Sequence, residues 1–328
     1  MTNKEILNAA TKGVAPLLNP DQDLNWKKDC NSNSWFAICH FESDGHLLNF
    51  MHHLMIYPLP TGAVMNACFS VTDETTGEYY GEDHFYPFEQ VQISDNTFAI
   101  KVPNGEMIGD LKEMKLKAHM ENASVEVTMH PVGEIIYNGG AGLFSVCGIR
   151  VHQYSIPKLM TEGTMAINGK TYEIKDGQSW FDRQWQQAPR GMSASAGRFR
   201  WAWMDINLDS GDYMSLWSTE DMQTGEEHSW ATILHADGTQ SVATMEPLSK
   251  NRKDYWESPV SKQKYPTNWT ITLPEFDTRL EVTASPKEQE IVSKFINKYE
   301  AASKVTGTFK GKKVSGHCYI ELVGDYTK

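Results

Sequence analysis

One stretch carries residue types suited to proton transfer: Gly177-Gln178-Ser179-Trp180-Phe181-Asp182-Arg183-Gln184-Trp185. Read as a strand, its alternation puts Trp180, Asp182 and Gln184 on one face and Phe181, Arg183 and Trp185 on the other. A carboxylate that shares a half-buried face with an indole is unfavourable unless it is paired, hydrogen-bonded or neutral. Two readings follow. Either Asp182 belongs to a structural ion pair, with Arg183 or another neighbour, or it is an acid kept protonated for use. In the second case it is a general acid: desolvation raises a carboxyl pKa, so such a group can still hold its proton near neutral pH.

The elements that must position such an acid read as strands almost throughout. Trp35 to Glu42 and His46 to Tyr57 flank Ser43-Asp44-Gly45, a hairpin signal. Alternating or apolar runs then follow one another to the C-terminus, with Gly, Pro, Asn or Asp in nearly every gap. A short helix is expected over residues 4–12. A second is expected after the capping box Ser285-Pro286-Lys287-Glu288, where Ile291, Val292, Phe295, Ile296 and Tyr299 form an apolar stripe suited to a lid on a barrel. Gly163-Thr164 … Gly169-Lys170 … Gly177-Gln178-Ser179-Trp180-Phe181-Asp182 is echoed by Gly307-Thr308 … Gly311-Lys312 … Gly316-His317-Cys318-Tyr319-Ile320-Glu321. The echo implies two related units. The expected fold is therefore all-β, two antiparallel barrels side by side with a few short helices, because closure removes exposed edges. The units divide as residues 1–190 and 191–328, with the link in the small-residue stretch 186–197.

Strand parity groups further candidates. Trp201, Trp203 and Asp205 share one face of their strand, and His152 and Tyr154 share one face of theirs. If those faces meet that of Trp180 and Asp182, they enclose an aromatic cavity with two acids and an imidazole. The plainer alternative is barrel core with a satisfied histidine.

Composition narrows the function. Charge sums to 30 − 42 = −12 without a basic run, which speaks against nucleic acid and anionic membrane as partners. Five widely spaced cysteines (Cys30, Cys39, Cys68, Cys147, Cys318) suggest reduced thiols, a reducing compartment and a cytoplasmic location. No apolar run approaches the roughly 20 residues of a membrane span. His40, His46, His52 and His53 cluster around the first hairpin, but adjacent His52 and His53 point to opposite faces, so no metal is expected. Glu82-Asp83-His84 reads as a solvated loop or as second acid–base groups. Arg198 and Arg200 read as ion pairs or as an anion clamp. Asn138-Gly139-Gly140-Ala141-Gly142 lacks the ending of a phosphate loop, and no dinucleotide fingerprint or nucleophile elbow implies a cofactor.

Several stretches together resemble the family of carotenoid 1,2-hydratase and kievitone hydratase, whose members have two lipocalin-like (calycin) barrels. They are Ser34-Trp35-Phe36, Trp180-Phe181-Asp182-Arg183-Gln184-Trp185, Tyr265-Pro266-Thr267-Asn268-Trp269, Glu288-Gln289-Glu290 with Tyr299-Glu300-Ala301, and Gly316-His317-Cys318-Tyr319-Ile320-Glu321-Leu322. The resemblance implies an aspartate that protonates an alkene, in an aromatic-x-Asp strand, with a His-x-aromatic pair upstream. Trp180-Phe181-Asp182 matches the first, with tryptophan where the family has tyrosine, and His152-Gln153-Tyr154 matches the second, with tyrosine where the family has tryptophan.

The expectation is thus a cofactor-independent hydratase or dehydratase acting on an apolar terpenoid or prenylated phenol. Asp182 is the expected proton donor and His152 the base or water positioner. Trp180, Tyr154, Trp185, Trp201, Trp203 and Asp205 are expected to line the substrate. An isomerase or cyclase using the same pocket and a non-catalytic binding protein are the alternatives.

Overall fold

Alternating and β-branched runs form strands almost throughout, in a computed structural model that describes residues 11–188 and 197–327. The first sheet holds β1 (Ser32–Ser43), β2 (His46–Leu59), β3 (Gly62–Asp73), β4 (Glu78–Tyr86), β5 (Gln92–Ile93), β6 (Phe98–Val102), β7 (Gly105–Gly109), β8 (Met114–His119), β9 (Ala123–Pro131), β10 (Ile136–Tyr137), β11 (Leu143–Val146), β12 (Ile149–Ile167) and β13 (Lys170–Gln186). The second holds β14 (Phe199–Leu208), β15 (Tyr213–Asp221), β16 (Glu227–Leu234), β17 (Gln240–Thr244), β18 (Arg252–Glu257), β19 (Lys264–Leu273), β20 (Thr278–Ala284), β21 (Glu290–Ile291), β22 (Lys298–Phe309) and β23 (Lys312–Val323). Both are antiparallel and curl into half-barrels side by side, as the all-β, lipocalin-like expectation requires.

The two sheets repeat one plan. In the first, β13 lies between β1 and β12; in the second, β23 lies between β14 and β22. Gly163 and Gly307, matched in the sequence echo, both adopt positive φ (144° and 150°). A side chain at either would put Cβ 2.2 Å from a neighbouring strand's carbonyl oxygen, that of Glu126 or Arg279. Only glycine permits this close approach, which bends β12 and β22 alike.

Burial reveals where the sheets meet. β8 and β9 alternate buried and exposed residues, as strands with one wet face do. β1, β2, β3 and the second half of β13 are buried on both faces, and so are β14 and β15. One face of each packs into its own filled core, around Trp35, Phe50 and Phe181 in the first sheet and Tyr265, Trp269 and Tyr299 in the second. The other faces form a seam, in which Phe36, Ile38, Met51 and Trp180 meet Trp203, Trp217 and Tyr319.

The second expected helix is absent. Residues 286–297 run extended or as bends, and β21 pairs with β22 through Glu290↔Tyr299 and Ile291↔Lys298. Gln289 fixes this course: its amide donates to Pro286 O and Ala302 O, and its Oε1 accepts from Ala302 N–H and Thr72 Oγ. Backbone groups here are spent on a ladder, so the apolar stripe serves a strand edge and a loop instead of a helix face. The one α-helix among the described residues is α1 (Pro20–Asp23). The helix expected over 4–12 and the unit boundary expected at 190/191 fall almost wholly outside the described residues. All five cysteines are free, and no helix among the described residues is long and apolar enough to cross a membrane.

Candidate active site

Asp182 points from β13 into the seam, away from the first core. Arg183, one residue on, points the other way. Its guanidinium lies 4.3 Å from the Trp35 ring centre and donates to the carbonyls of Asp23, Asn25 and Ser34, anchoring α1. Of the two readings of Asp182, pairing with Arg183 is therefore excluded. Its partners are neutral: Trp180 Nε1 donates to Oδ1 (2.7 Å) and Gln153 Nε2 to Oδ2 (2.8 Å). The Ser155 hydroxyl also donates to it while accepting from Asn138 Nδ2 (2.9 Å). Burial is the main influence on the carboxyl and pushes its pKa up to about 7, against the pull of these three hydrogen bonds; nearby Glu321 adds to the rise.

The acid borders a cavity of about 330 Å³ between the sheets. Phe36, Trp201, Trp203 and Trp217 are among its walls, and Phe36 packs edge-on to both Trp203 (5.4 Å) and His53 (5.1 Å). Buried apolar clusters occupy both half-barrel interiors, and this cavity lies in the seam between them, where two aromatic faces fail to close completely.

A second polar group faces the same space. Glu321 accepts from Trp201 Nε1 (3.0 Å) and lies 3.9 Å from Lys298 Nζ. Glu300 is paired directly across β22–β23 with Glu321. Burial, and then Glu321, raise the Glu300 pKa well above the carboxylate range, so Glu300 keeps its proton. Burial works against the Lys298 ammonium, yet Glu321, with Glu300 and Asp83 behind it, more than offsets this and leaves its pKa raised. Lys298 Nζ also donates to His53 Nδ1 (3.5 Å), and His53 Nε2 lies 2.7 Å from Ser34 Oγ. Burial, then the Lys298 charge, keep the His53 imidazole well below its usual pKa and hence neutral.

The expected residues divide by face. Asp182, Trp201 and Trp203 border the cavity, and Trp180 lies in the seam behind Asp182. Asp205 is in the seam too, bound to Tyr319 N–H and to Asn207 Nδ2; burial pushes its pKa up to about 8, against those hydrogen bonds. His152, Tyr154 and Trp185 do not join them. The ladder sets His152 opposite Trp185 and Tyr154 opposite Arg183, whereas Gln153 and Ser155 oppose Gln184 and Asp182. Paired residues share a face, so His152 and Tyr154 lie on the far side of the sheet from Asp182. His152 stacks on Trp185 (5.2 Å), and Tyr154 donates to Pro20 O (3.3 Å) within the first core.

Sequence reasoning missed Gln153, Ser155, Lys298, Glu300 and Glu321 as site residues; it weighed His53 only as a metal ligand and Asp83 as part of a solvated loop or a second acid–base group. Glu321 was available from the echo, since it occupies the place of Asp182. Asp83 is in strand β4, not in a loop, and accepts from Asn66 and Ser293. Arg198 and Arg200 form ion pairs with Asp221 and Glu220. Among the described residues, no group of three His, Cys, Asp or Glu is placed to hold a metal ion.

A model of the AttH-like family matches residues 59–325. The chain is 24% identical over 220 residues to kievitone hydratase of Fusarium solani subsp. phaseoli, which covers 65% of this chain and 61% of that one. It is 23% identical over 223 residues to dehydratase asqC of Emericella nidulans, covering 64% and 61%. The chain thus spans less than two thirds of the length of these relatives. The crystal structure of kievitone hydratase from Nectria haematococca has the same fold, with a TM-score of 0.80 at 20% identity over 94% of this chain and 93% of that one.

Proposed function

The chain belongs to the AttH-like family, and on that premise we propose that it is a cofactor-independent hydratase or dehydratase in which Asp182 protonates an alkene of an apolar terpenoid or prenylated phenol. The observation that carries this reading is the acid itself: buried at an aromatic cavity, with neutral partners and a pKa of about 7. Near neutral pH a large fraction of Asp182 holds its proton, which a carboxyl in water would have lost. The relatives named hydratase and dehydratase support the reaction class.

Asp182 gives its proton to one alkene carbon, and the adjacent carbon becomes cationic beside Phe36, Trp201 and Trp203. Water adds to that carbon, and the proton it sheds returns to the Asp182 carboxylate, so one carboxyl completes the cycle. Dehydration is the same path reversed. Gln153 suits both states of the acid. Its Nε2 donates to the carboxylate, and its Oε1, without a partner among the described residues, accepts from the carboxylic acid when the amide turns over. The imidazole that borders this cavity is His53, held between Lys298 and Ser34, and His152 on the other face of the sheet takes no part in this proposal. The test is turnover of a prenylated phenol in oxygen-18 water. Solvent oxygen in the product is expected, and a rearranged product free of solvent oxygen would replace hydration by isomerisation or cyclisation.

A further inference from the structure

Lys298 is 9% exposed and is among the residues that line the cavity. Among the described residues its contacts are few. His53 Nδ1 at 3.5 Å is a long hydrogen bond, and Glu321 Oε2 at 3.9 Å is beyond hydrogen-bond range. An ammonium has three N–H donors, and leaving donors unmatched away from water is unfavourable. The group is thus held ready for an acceptor within the cavity.

The surroundings narrow the acceptor. Glu321 and Asp83 already stand near the ammonium, so a ligand carboxylate or phosphate would meet them as well as Lys298. A neutral oxygen meets no such opposition. Beside Lys298, which acts electrostatically on Tyr57, three rings line the same cavity. Phe85 and Phe295 pack edge-to-face at 4.6 Å, and Tyr57 stacks on Phe295 at 6.3 Å. These rings make an apolar patch of the cavity wall.

We propose that Lys298 is the docking point for a neutral oxygen, a phenol or a ring carbonyl, on a planar ring held against Tyr57, Phe85 and Phe295. The inference rests on the reading above in one respect: the reactive alkene is the end of the ligand that reaches Asp182. It selects oxygenated ring compounds over purely hydrocarbon terpenoids as the substrate class.

The test compares 2-naphthol with naphthalene, with binding read from quenching of tryptophan emission in the full chain. Naphthalene is the more apolar, so partition alone favours it. The wild-type protein should nevertheless bind 2-naphthol about ten- to a hundredfold more tightly, the usual worth of a hydrogen bond to a charged group. In Lys298→Met the preference should fall to about twofold or less; in Asp182→Asn it should persist. Because Lys298→Met leaves Glu321 without its cation, Lys298→Met/Glu321→Gln provides a second variant with the charges removed together. Absence of any preference in the wild-type protein overturns the proposal, as does a preference that survives in whichever Lys298 variant folds. Turnover of Asp182→Asn reports separately on the proton donor, so either inference can fail while the other stands.

Discussion

The two walls of the cavity are built on one plan with opposite chemistry. Asp182 and Glu321 hold the same place in the echoed strands β13 and β23. Across the ladder, Asp182 faces Ser155, where Glu321 faces Glu300; two residues on, Gln184 faces Gln153, where Val323 faces Lys298. The first wall therefore surrounds its acid with neutral donors, and the second with a cation and another acid. The neutral wall yields a lone carboxyl that burial can drive toward neutrality. The charged wall yields a cluster in which Glu300 keeps its proton and an ammonium stands beside Glu321. Two pairs of residues, on one backbone frame, separate the proposed proton donor from the proposed docking group.

The most severe way to break this contrast is Asp182→Asn. Turnover should drop by about 10²–10⁴-fold, the usual worth of a general acid, while ligand affinity stays within about threefold. Single-turnover kinetics and tryptophan quenching measure the two, and full turnover in the variant would remove Asp182 from the mechanism.

Stability gives the next largest effect. A carboxyl whose pKa is raised on folding contributes stability that is complete below its ordinary pKa and lost as pH rises through the folded value. For Asp182 the loss runs from about pH 4 to about pH 7 and amounts to roughly 4 kcal/mol. Denaturant titrations across that range should show the slope in the wild-type protein and a shallower one in Asp182→Asn. The slope is not removed entirely, because Asp205 adds a loss of the same sign up to about pH 8.

Giving the first wall a feature of the second sharpens the comparison further. Gln153→Lys brings a cation to Asp182, which should lower its pKa and cut turnover at pH 7 by about tenfold, with partial recovery at lower pH. Carboxyl infrared or carbon-13 titration would follow the shift directly; an unchanged titration would mean that burial alone sets the acid. Ser155→Ala works in the opposite sense. Loss of one donor should move the alkaline limb of the pH–rate profile up by about 0.5–1 pH unit. The smallest effect is expected of His152→Phe, which keeps a ring against Trp185 and should leave turnover within about twofold, since that side chain faces the other core. A loss there as large as that of Asp182→Asn would show that the two faces of the sheet communicate.

Much of this is legible in the sequence, and the boundary between what is and what is not has a physical basis. Alternation and turn residues make the strands readable, and the echo makes the repeated plan readable, down to Gly163 and Gly307. Parity within one strand correctly sets Asp182 apart from Arg183 and groups Trp201 with Trp203. Parity between strands is another matter, because it depends on register. A shift of one residue moves every side chain to the opposite face, and nothing local in Ile149–Ile167 reveals whether His152 or Gln153 sits beside the acid. The stripe from Ile291 to Tyr299 fails for a related reason, since a short apolar run fits a helix and an edge strand equally well until long-range partners such as Ala302 decide. Lys298, Glu300 and Glu321 are scattered along β22 and β23 and become a cluster only when those strands pair.

That the hollow lies outside both filled cores has an evolutionary corollary. Residues that shape recognition, such as Trp217, Phe85 and Phe295, are largely separate from those that close each half-barrel, such as Trp35 and Trp269. Lineages can therefore exchange one ligand for another by rewriting the seam, at little risk to folding. The same independence makes the seam the natural place to begin redesign of this scaffold.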